Sequence, residues 1–261
     1  MTYGRPEWDP AIYHRFSGHR ARPALELLAR VTVTAPSVVV DLGCGTGEIT
    51  AAIAALFPEA RVIGVDSSAE MLQAAERETT TVEWVHDDAV TWRPDGAIDL
   101  LYSNAALHWL TDHEVLFPRL LGYVAPGGQL AVQMPRSWEG DSHRLMRTTL
   151  AELAVGPPDL LERYRRRPVY PPQWYAAVLD PLAAALDIWS TTYLQRLNGD
   201  DPVLQWVSGT ALRPILEELD PADRDRFLGV YRSRLNEAYP QAPDGSTFFP
   251  FPRLFIVATR G

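Results

Sequence analysis

The chain contains no lysine: its 24 basic residues are all arginine. A Walker phosphate loop, a Schiff-base lysine and a Ser-Lys nucleophile pair each require a primary amine, and all three are excluded together. Cysteine is nearly as scarce. Cys44 stands alone, so no intrachain disulfide can form, and nothing points to an oxidising compartment. No apolar run approaches the ~18 residues of a membrane span. Met1 to Pro10 carries Arg5, Glu7 and Asp9 where a signal peptide would need an apolar core. Positive charge is outweighed too, and the net charge of −9 disfavours broad binding to nucleic acid or to membrane surfaces. The expectation is a cytoplasmic monomer with neither nucleic acid nor membrane as partner.

What is present is material for one large core. A chain of 261 residues, 46% of them apolar, suits a single α/β domain with an elaboration. It is organised around Val38 to Gly47, Val-Val-Val-Asp-Leu-Gly-Cys-Gly-Thr-Gly. The β-branched run predicts a strand buried on both faces, and the alternate glycines turn it into a helix over Ala51 to Leu56. Gly43 and Gly45 expose bare backbone for close approach of a ligand. Asp41 stands at the carboxyl end of the strand, the edge where open parallel sheets bind ligands, and a carboxylate there suits a cationic group and repels phosphate. A dehydrogenase fingerprint would space its glycines as G-x-G-x-x-G, whereas here Glu48 follows Gly47.

The second predicted strand, Arg61 to Val65, ends in Asp66, about 20 residues beyond the glycine turn, where a carboxylate can accept both hydroxyls of a ribose. Asp66 can also cap the helix opened by Ser67 and Ser68, and the two roles are compatible. A third strand, Val82 to Val85, leads to Asp87 and Asp88. Asp88 is the favoured acceptor for an adenine amino group, with Ala89 offering its N–H to the ring. The fourth strand, Ile98 to Ser103, delivers Asn104 and then His108 and Trp109 to the same edge. His108 and His113 match no metal-ligand spacing, so no metal is expected. A helix over Glu114 to Tyr123 and a fifth strand, Gln129 to Gln133, complete the alternation of a doubly wound parallel sheet.

Tyr13, Phe16, Arg20 and Arg22 cluster ahead of the first strand. They suit either a cover over a cofactor and its carboxylate or an arm packed on the sheet. Beyond the fifth strand, helices are expected over Ser142 to Ala154 and Gln173 to Ala185, then a strand over Asp187 to Leu197. Helices follow from Pro202 to about Leu212 and from Pro221 to Tyr239, with Asp220 as N-cap, and the last strand runs from Phe248 to Thr259. An excursion of about 50 residues between the last two strands is too long for a loop and should form a helical cap. The run Arg163 to Arg167 is expected to be a solvated face.

Asp41-Leu-Gly-Cys-Gly-Thr-Gly47 resembles the first motif of class I S-adenosylmethionine-dependent methyltransferases. Further segments resemble the family of trans-aconitate 2-methyltransferases: Trp8-Asp-Pro with Tyr13, Phe16-Ser17 and Arg20-Ala-Arg-Pro23; Asn104-Ala-Ala-Leu-His-Trp-Leu110; Ala131-Val-Gln-Met-Pro135; Trp138; Asp187-Ile-Trp189; Thr191-Thr-Tyr193; Leu212-Arg-Pro214; and Phe251 to Ala258. The resemblance implies a Rossmann-like domain over residues 1–261, with an N-terminal arm (1–30) and cap elements at about 139–173 and 198–246. Its sheet would have seven strands, mostly parallel, with the last antiparallel. It also implies S-adenosyl-L-methionine as cofactor, held by Tyr13, Phe16, Arg22, Asp41, Gly43, Gly45, Asp66, Ser67, Asp88, Ala89 and Asn104.

The implied reaction moves the sulfonium methyl to one carboxylate of trans-aconitate, a small anionic polycarboxylate. A carboxylic acid with pKa near ~4 is already anionic at neutral pH, so no general base is required, and His108 and Trp109 serve to position. Arginines should grip the spectator carboxylates, Arg213 first and Arg253 second, because a guanidinium on the reacting carboxylate would blunt it. Trp138 and Tyr193 are the neutral donors expected at the substrate. The alternatives are a carboxyl methyltransferase for another small or carrier-bound acid, and a non-catalytic cofactor-binding protein.

Overall fold

The computed structural model describes residues 21–78, 81–165, 167, 169–209 and 211–261. The expected positions of Tyr13, Phe16 and Arg20 lie outside the described residues. The described chain divides into two compact units. The first takes in the residues up to Pro135, Tyr170–Thr191 and Leu254–Gly261, and the second takes in Arg136–Val169 and Thr192–Arg253. No helix of the described residues is long and apolar enough to cross a membrane.

Helix α1 (Ala21–Leu28) precedes β1 (Val38–Leu42), α2 (Glu48–Leu56), β2 (Arg61–Asp66), α3 (Ala69–Glu78), β3 (Glu83–His86), β4 (Ile98–Asn104), α4 (His113–Tyr123) and β5 (Val124–Pro135). The β-branched run of β1 is buried on both faces, as are Leu100 and Leu101 of β4 and Leu130 and Val132 of β5. Such runs suit the interior of a parallel sheet covered on both sides by helices. Strands β3-β2-β1-β4-β5 are hydrogen-bonded side by side in that order, and the pairings are parallel, with Asp41 opposite Gly64 on one side and Tyr102 on the other. The order reverses at β1, so the β1 and β4 tips flank a crevice at the carboxyl edge.

The remaining elements are α5 (Asp141–Leu153), α6 (Leu160–Arg165), α7 (Pro172–Leu179), β6 (Ala183–Asn198), α8 (Pro202–Ser208), α9 (Arg213–Glu218), α10 (Pro221–Ala238) and β7 (Ser246–Arg260). β7 inserts between β5 and β6. The Arg260 guanidinium reaches the Val124 carbonyl at the start of β5, while Arg136 N, just past its end, donates to Pro252 O at 2.9 Å. Strand β7 therefore runs antiparallel to β5, and the sheet is mixed, with the Rossmann-like order and antiparallel last strands of a methyltransferase fold.

Several expected boundaries differ, among them the start of β5, which begins at Val124 instead of Gln129. The helix over Gln173 to Ala185 stops at Leu179, and β6 starts at Ala183 instead of Asp187. Pro181 has no N–H for a continuing helix, so the chain takes one 3-10 turn over Asp180–Leu182 and extends. The helix drawn to about Leu212 ends at Ser208 before Gly209, and a separate α9 begins at Arg213 with Pro214 in its first turn. The expectation for α10 holds: the Asp220 carboxylate accepts from Asp223 N at 2.9 Å, and Phe227, Tyr231 and Leu235 are buried.

In the second unit these three side chains pack with Met146, Leu150, Leu160, Val207, Leu212, Ile215 and Phe249 into one apolar cluster. The helices thus carry a core of their own.

Candidate active site

The glycine loop is held from both ends. Gly43 N and Cys44 N donate to Val65 O at 2.7 and 3.1 Å, pinning the loop to β2. Gly43, Gly45 and Gly47 have φ of 79, 56 and 77°, a left-handed region that strains other residues. A Cβ on Gly43 would lie 2.2 Å from Ala106 Cβ, and one on Gly47 2.4 Å from the Trp84 ring. At Gly45 it would meet nothing within 4 Å. Gly43 and Gly47 are therefore dictated by their neighbours as well as by φ, whereas Gly45 leaves an open stretch of backbone that a ligand can approach closely. That cradle fits an adenosyl ligand.

The Asp66 carboxylate closes it. Oδ2 accepts from Gly45 N at 2.8 Å and Oδ1 from Ser68 N at 2.9 Å, so the group orients the loop and caps the turn into α3. A carboxylate oxygen can take a second donor, so these bonds leave acceptor capacity for ribose hydroxyls. Ser67 offers its carbonyl to His86 Nε2 at 3.0 Å. Asp88 Oδ1 accepts from Val90 N at 2.8 Å, and Asp87 Oδ1 from Asp88 N at 2.7 Å. Both acids are thus used in shaping the turn that carries Ala89, whose carbonyl takes Arg119 Nη2 at 2.9 Å.

Asp41 is nearly inaccessible, 2% exposed, and accepts the Thr50 hydroxyl at 2.7 Å. Burial pushes its carboxyl up to about 7, with the Thr50 bond working against the rise and the charge of Asp66 adding to it. A carboxyl poised this close to neutral pH is readily ionised by a nearby cation. The Cys44 thiol is pushed far up by burial and is no nucleophile.

Beyond β4 the backbone is constrained again. Asn104 Oδ1 is buried with no hydrogen-bond partner among the described residues, an acceptor suited to an N–H-bearing ligand. Ala105 has φ 52° and donates its N–H to Gln133 O at 2.9 Å. Ala106 then lies against Gly43 and opens the single turn Leu107–Trp109. The His108 and Trp109 rings lie tilted against each other, centroids 4.7 Å apart and planes at 39°, Trp109 being 65% exposed. The first unit thus brings together Asp41, the glycines, Asp66, Ser67, Asp88, Ala89, Asn104, His108 and Trp109 along the carboxyl edge of β1 to β4. Arg22 on α1 is exposed and pairs with Glu26 at 2.7 Å.

The expected acceptor residues belong to the second unit. Trp138 has a buried Nε1 and lies beneath Arg147. Tyr193 is buried, Arg253 is buried with its guanidinium 4.2 Å from the Phe251 ring centroid, and Arg213 is exposed and paired with Glu217 at 2.8 Å. Sequence inspection passed over Thr50, one turn into α2, although a hydroxyl there is placed to reach back to the strand tip. It also passed over His113 as the partner of Tyr175, for which no local pattern exists. No trio of His, Cys, Asp or Glu among the described residues could hold a metal ion.

A mixed seven-stranded sheet with a glycine cradle, an acid at the second strand tip and no phosphate-seeking lysine defines the Rossmann-like methyltransferases, whose methyl donor is S-adenosylmethionine. A profile described as "Methyltransferase domain" matches residues 39–128. The YcgJ protein of Bacillus subtilis has the same fold, with TM-score 0.60 and 16% identity over 92% of this chain and 99% of that one. Two relatives are far more similar. A trans-aconitate 2-methyltransferase of Methylobacterium radiotolerans is 46% identical over 97% of this chain and 98% of its own. Another, of Azoarcus sp. (strain BH72), is 44% identical over 98% of this chain and 100% of its own. The chain belongs to the trans-aconitate 2-methyltransferase family.

Proposed function

We propose that this chain transfers the methyl group of S-adenosylmethionine to one carboxylate of trans-aconitate, giving the monomethyl ester and S-adenosylhomocysteine. The observation that carries this reading is identity of 46% sustained across 97% of the chain, well outside the motif common to all such methyltransferases. The enzyme acts on a free small polycarboxylate, as a cytoplasmic monomer.

Chemically, little beyond placement is required. The attacking carboxylate is ionised without assistance, so the absence of a nucleophile-activating dyad among the site residues is no obstacle. Holding donor and acceptor in line is worth up to ~7 to 11 kcal/mol in favourable cases. Asp66 would take the ribose hydroxyls and the Gly45 backbone would let the ligand approach. Asn104 would offer its unpartnered oxygen to the amino-acid end, and Asp41 would supply negative charge once a cation is near. His108 and Trp109 would fix the acceptor beside the methyl group. Spectator carboxylates call for guanidinium partners. Arg253, buried, is better protected from water than Arg213, which already has Glu217.

Purified protein incubated with S-adenosylmethionine and a panel of acids, with products read by mass spectrometry, tests the proposal. A methyl ester formed from trans-aconitate in preference to citrate or malonyl groups is expected. Methylation of another acid alone would overturn it.

A further inference from the structure

Four consecutive carbonyls after β3, those of Ala89 to Trp92, are held by two arginines of the first unit. Arg119, on α4, donates Nη2 to Ala89 O at 2.9 Å and Nη1 to Val90 O. Arg93 Nη1 lies 2.9 Å from Thr91 O, 2.8 Å from Trp92 O and 3.3 Å from Val90 O. The segment makes a single helical turn, with Thr91 N and Trp92 N both donating to Asp88 O at 2.9 and 2.7 Å. So short a turn leaves its last carbonyls without donors of its own, and the guanidiniums take that place. Arg93 belongs to the segment and moves with it. Arg119 instead ties the turn to α4, while the Asp87 N–Asp66 O bond of 3.2 Å ties it to the tip of β2.

The same bonds aim a donor. A trans peptide points its N–H opposite to its C=O, and no peptide of the described residues is cis. The Asp88 carbonyl faces into the turn, so the Ala89 N–H of that peptide faces out of it. Asp88 N and Val90 N are taken up by the carboxylates of Asp87 and Asp88 at 2.7 and 2.8 Å, whereas Ala89 N donates to nothing among the described residues. Asp88 still has its second carboxylate oxygen. A donor and an acceptor on neighbouring residues match N1 and the 6-amino group of adenine.

We propose that Arg119 is a positioning residue for adenine recognition: by gripping the Ala89 and Val90 carbonyls from α4, it fixes where the Ala89 N–H stands at the carboxyl edge of the sheet. This rests on the assignment of Asp88 and Ala89 to the adenine of S-adenosylmethionine. A search of the sequence for charge partners passes over Arg119, because the groups it holds are carbonyls.

Calorimetry with S-adenosylhomocysteine and with S-inosylhomocysteine tests the proposal. In the inosyl ligand N1 bears a proton and a carbonyl replaces the 6-amino group, so donor and acceptor are exchanged. The wild type should favour the adenosyl ligand by about tenfold or more. Arg119→Gln should lower S-adenosylhomocysteine affinity about fivefold and cut that preference below about threefold. Arg119→Lys, which keeps a donor for one carbonyl, should fall between the two, and it carries the test if Arg119→Gln does not fold. Arg163→Gln, a control on an exposed arginine paired with Glu218, should change neither quantity. If the wild type binds both ligands equally, the adenine assignment fails and the role of Arg119 with it. If the wild type discriminates and the Arg119 variants discriminate as well as it does, whatever their stability, the role of Arg119 alone is wrong.

Discussion

His113 and Tyr175, far apart in sequence, share a hydrogen bond of 2.7 Å between imidazole Nδ1 and phenolic oxygen, while Nε2 meets Leu107 O at 3.0 Å. A carbonyl can only accept, so Nε2 carries the proton and the neutral ring accepts the Tyr175 O–H at Nδ1. Burial lowers the His113 pKa, outweighing the Leu107 and Leu110 carbonyls and the nearby acids Glu114 and Asp112, and so favours the neutral form. The pair braces the turn that carries His108 and Trp109. Tyr175→Phe would leave Nδ1 buried without a donor, at a cost of about 1–3 kcal/mol. The expected outcome is a Tm lower by several degrees and an imidazole whose nitrogen NMR signals no longer report a single tautomer. An unchanged spectrum would remove the brace.

The buried histidines should each cost folding stability as acid is added below neutrality. His113 and His143 have folded pKa values lowered from 6.5, His143 to about 4. Between those limits the unfolded chain binds protons that the folded chain refuses, so stability is lost as pH drops below about 6.5. His143→Gln should flatten that limb in denaturant titrations at pH 7, 6 and 5.

Asp41 acts in the opposite sense. Its folded pKa of about 7 exceeds the ordinary 3.8, so its contribution is fully present below the lower value and disappears as pH rises through the upper one. Asp41→Asn, which cannot ionise, should raise the Tm of the unliganded protein at pH 8 and weaken S-adenosylmethionine binding there. Wild-type protein should also release a proton on binding the cationic ligand near pH 6.5, detectable as a buffer-dependent heat that the variant lacks. Equal heats in all buffers would contradict this account.

Two glycines of one loop should respond differently. Gly47→Ala drives a methyl group into Trp84 and Ala75 besides straining φ, and should cost several kcal/mol, as overpacked cores do. Gly45→Ala meets only the φ penalty, about 1 kcal/mol. Its loss should instead appear in S-adenosylmethionine affinity, at least tenfold by calorimetry. Asp66→Ala should likewise weaken that ligand while leaving the trans-aconitate KM within about twofold.

Arginine variants separate surface from site. Arg213→Ala removes an exposed pair with Glu217, worth about 0 to 1 kcal/mol to stability, and Arg253→Ala removes a buried guanidinium. If Arg253 grips the acceptor, its variant should raise the trans-aconitate KM more than tenfold and Arg213→Ala should not. The reverse pattern would restore Arg213 as the clamp.

The sequence by itself determined the alternation of strands and helices through β5, the glycine turn after β1 and the acid at the tip of β2. Each is written in neighbouring residues: β-branched runs, glycines at alternate positions, a carboxylate directly after an apolar strand. Boundaries went astray where local signals competed, as at Pro181 and Gly209, because apolar periodicity continued past a residue that breaks the backbone ladder. Only the tertiary structure decided which polar groups find partners. Burial raises the Asp41 pKa to about 7 against the opposing Thr50 bond, His113 is fixed by a tyrosine brought from α7, and of the arginines on helices Arg213 meets Glu217 while Arg147 lies over an indole. Charge pairing and desolvation depend on elements distant along the chain, so two arginines that look alike in the sequence become a surface ion pair in one place and a cation over an indole ring in the other.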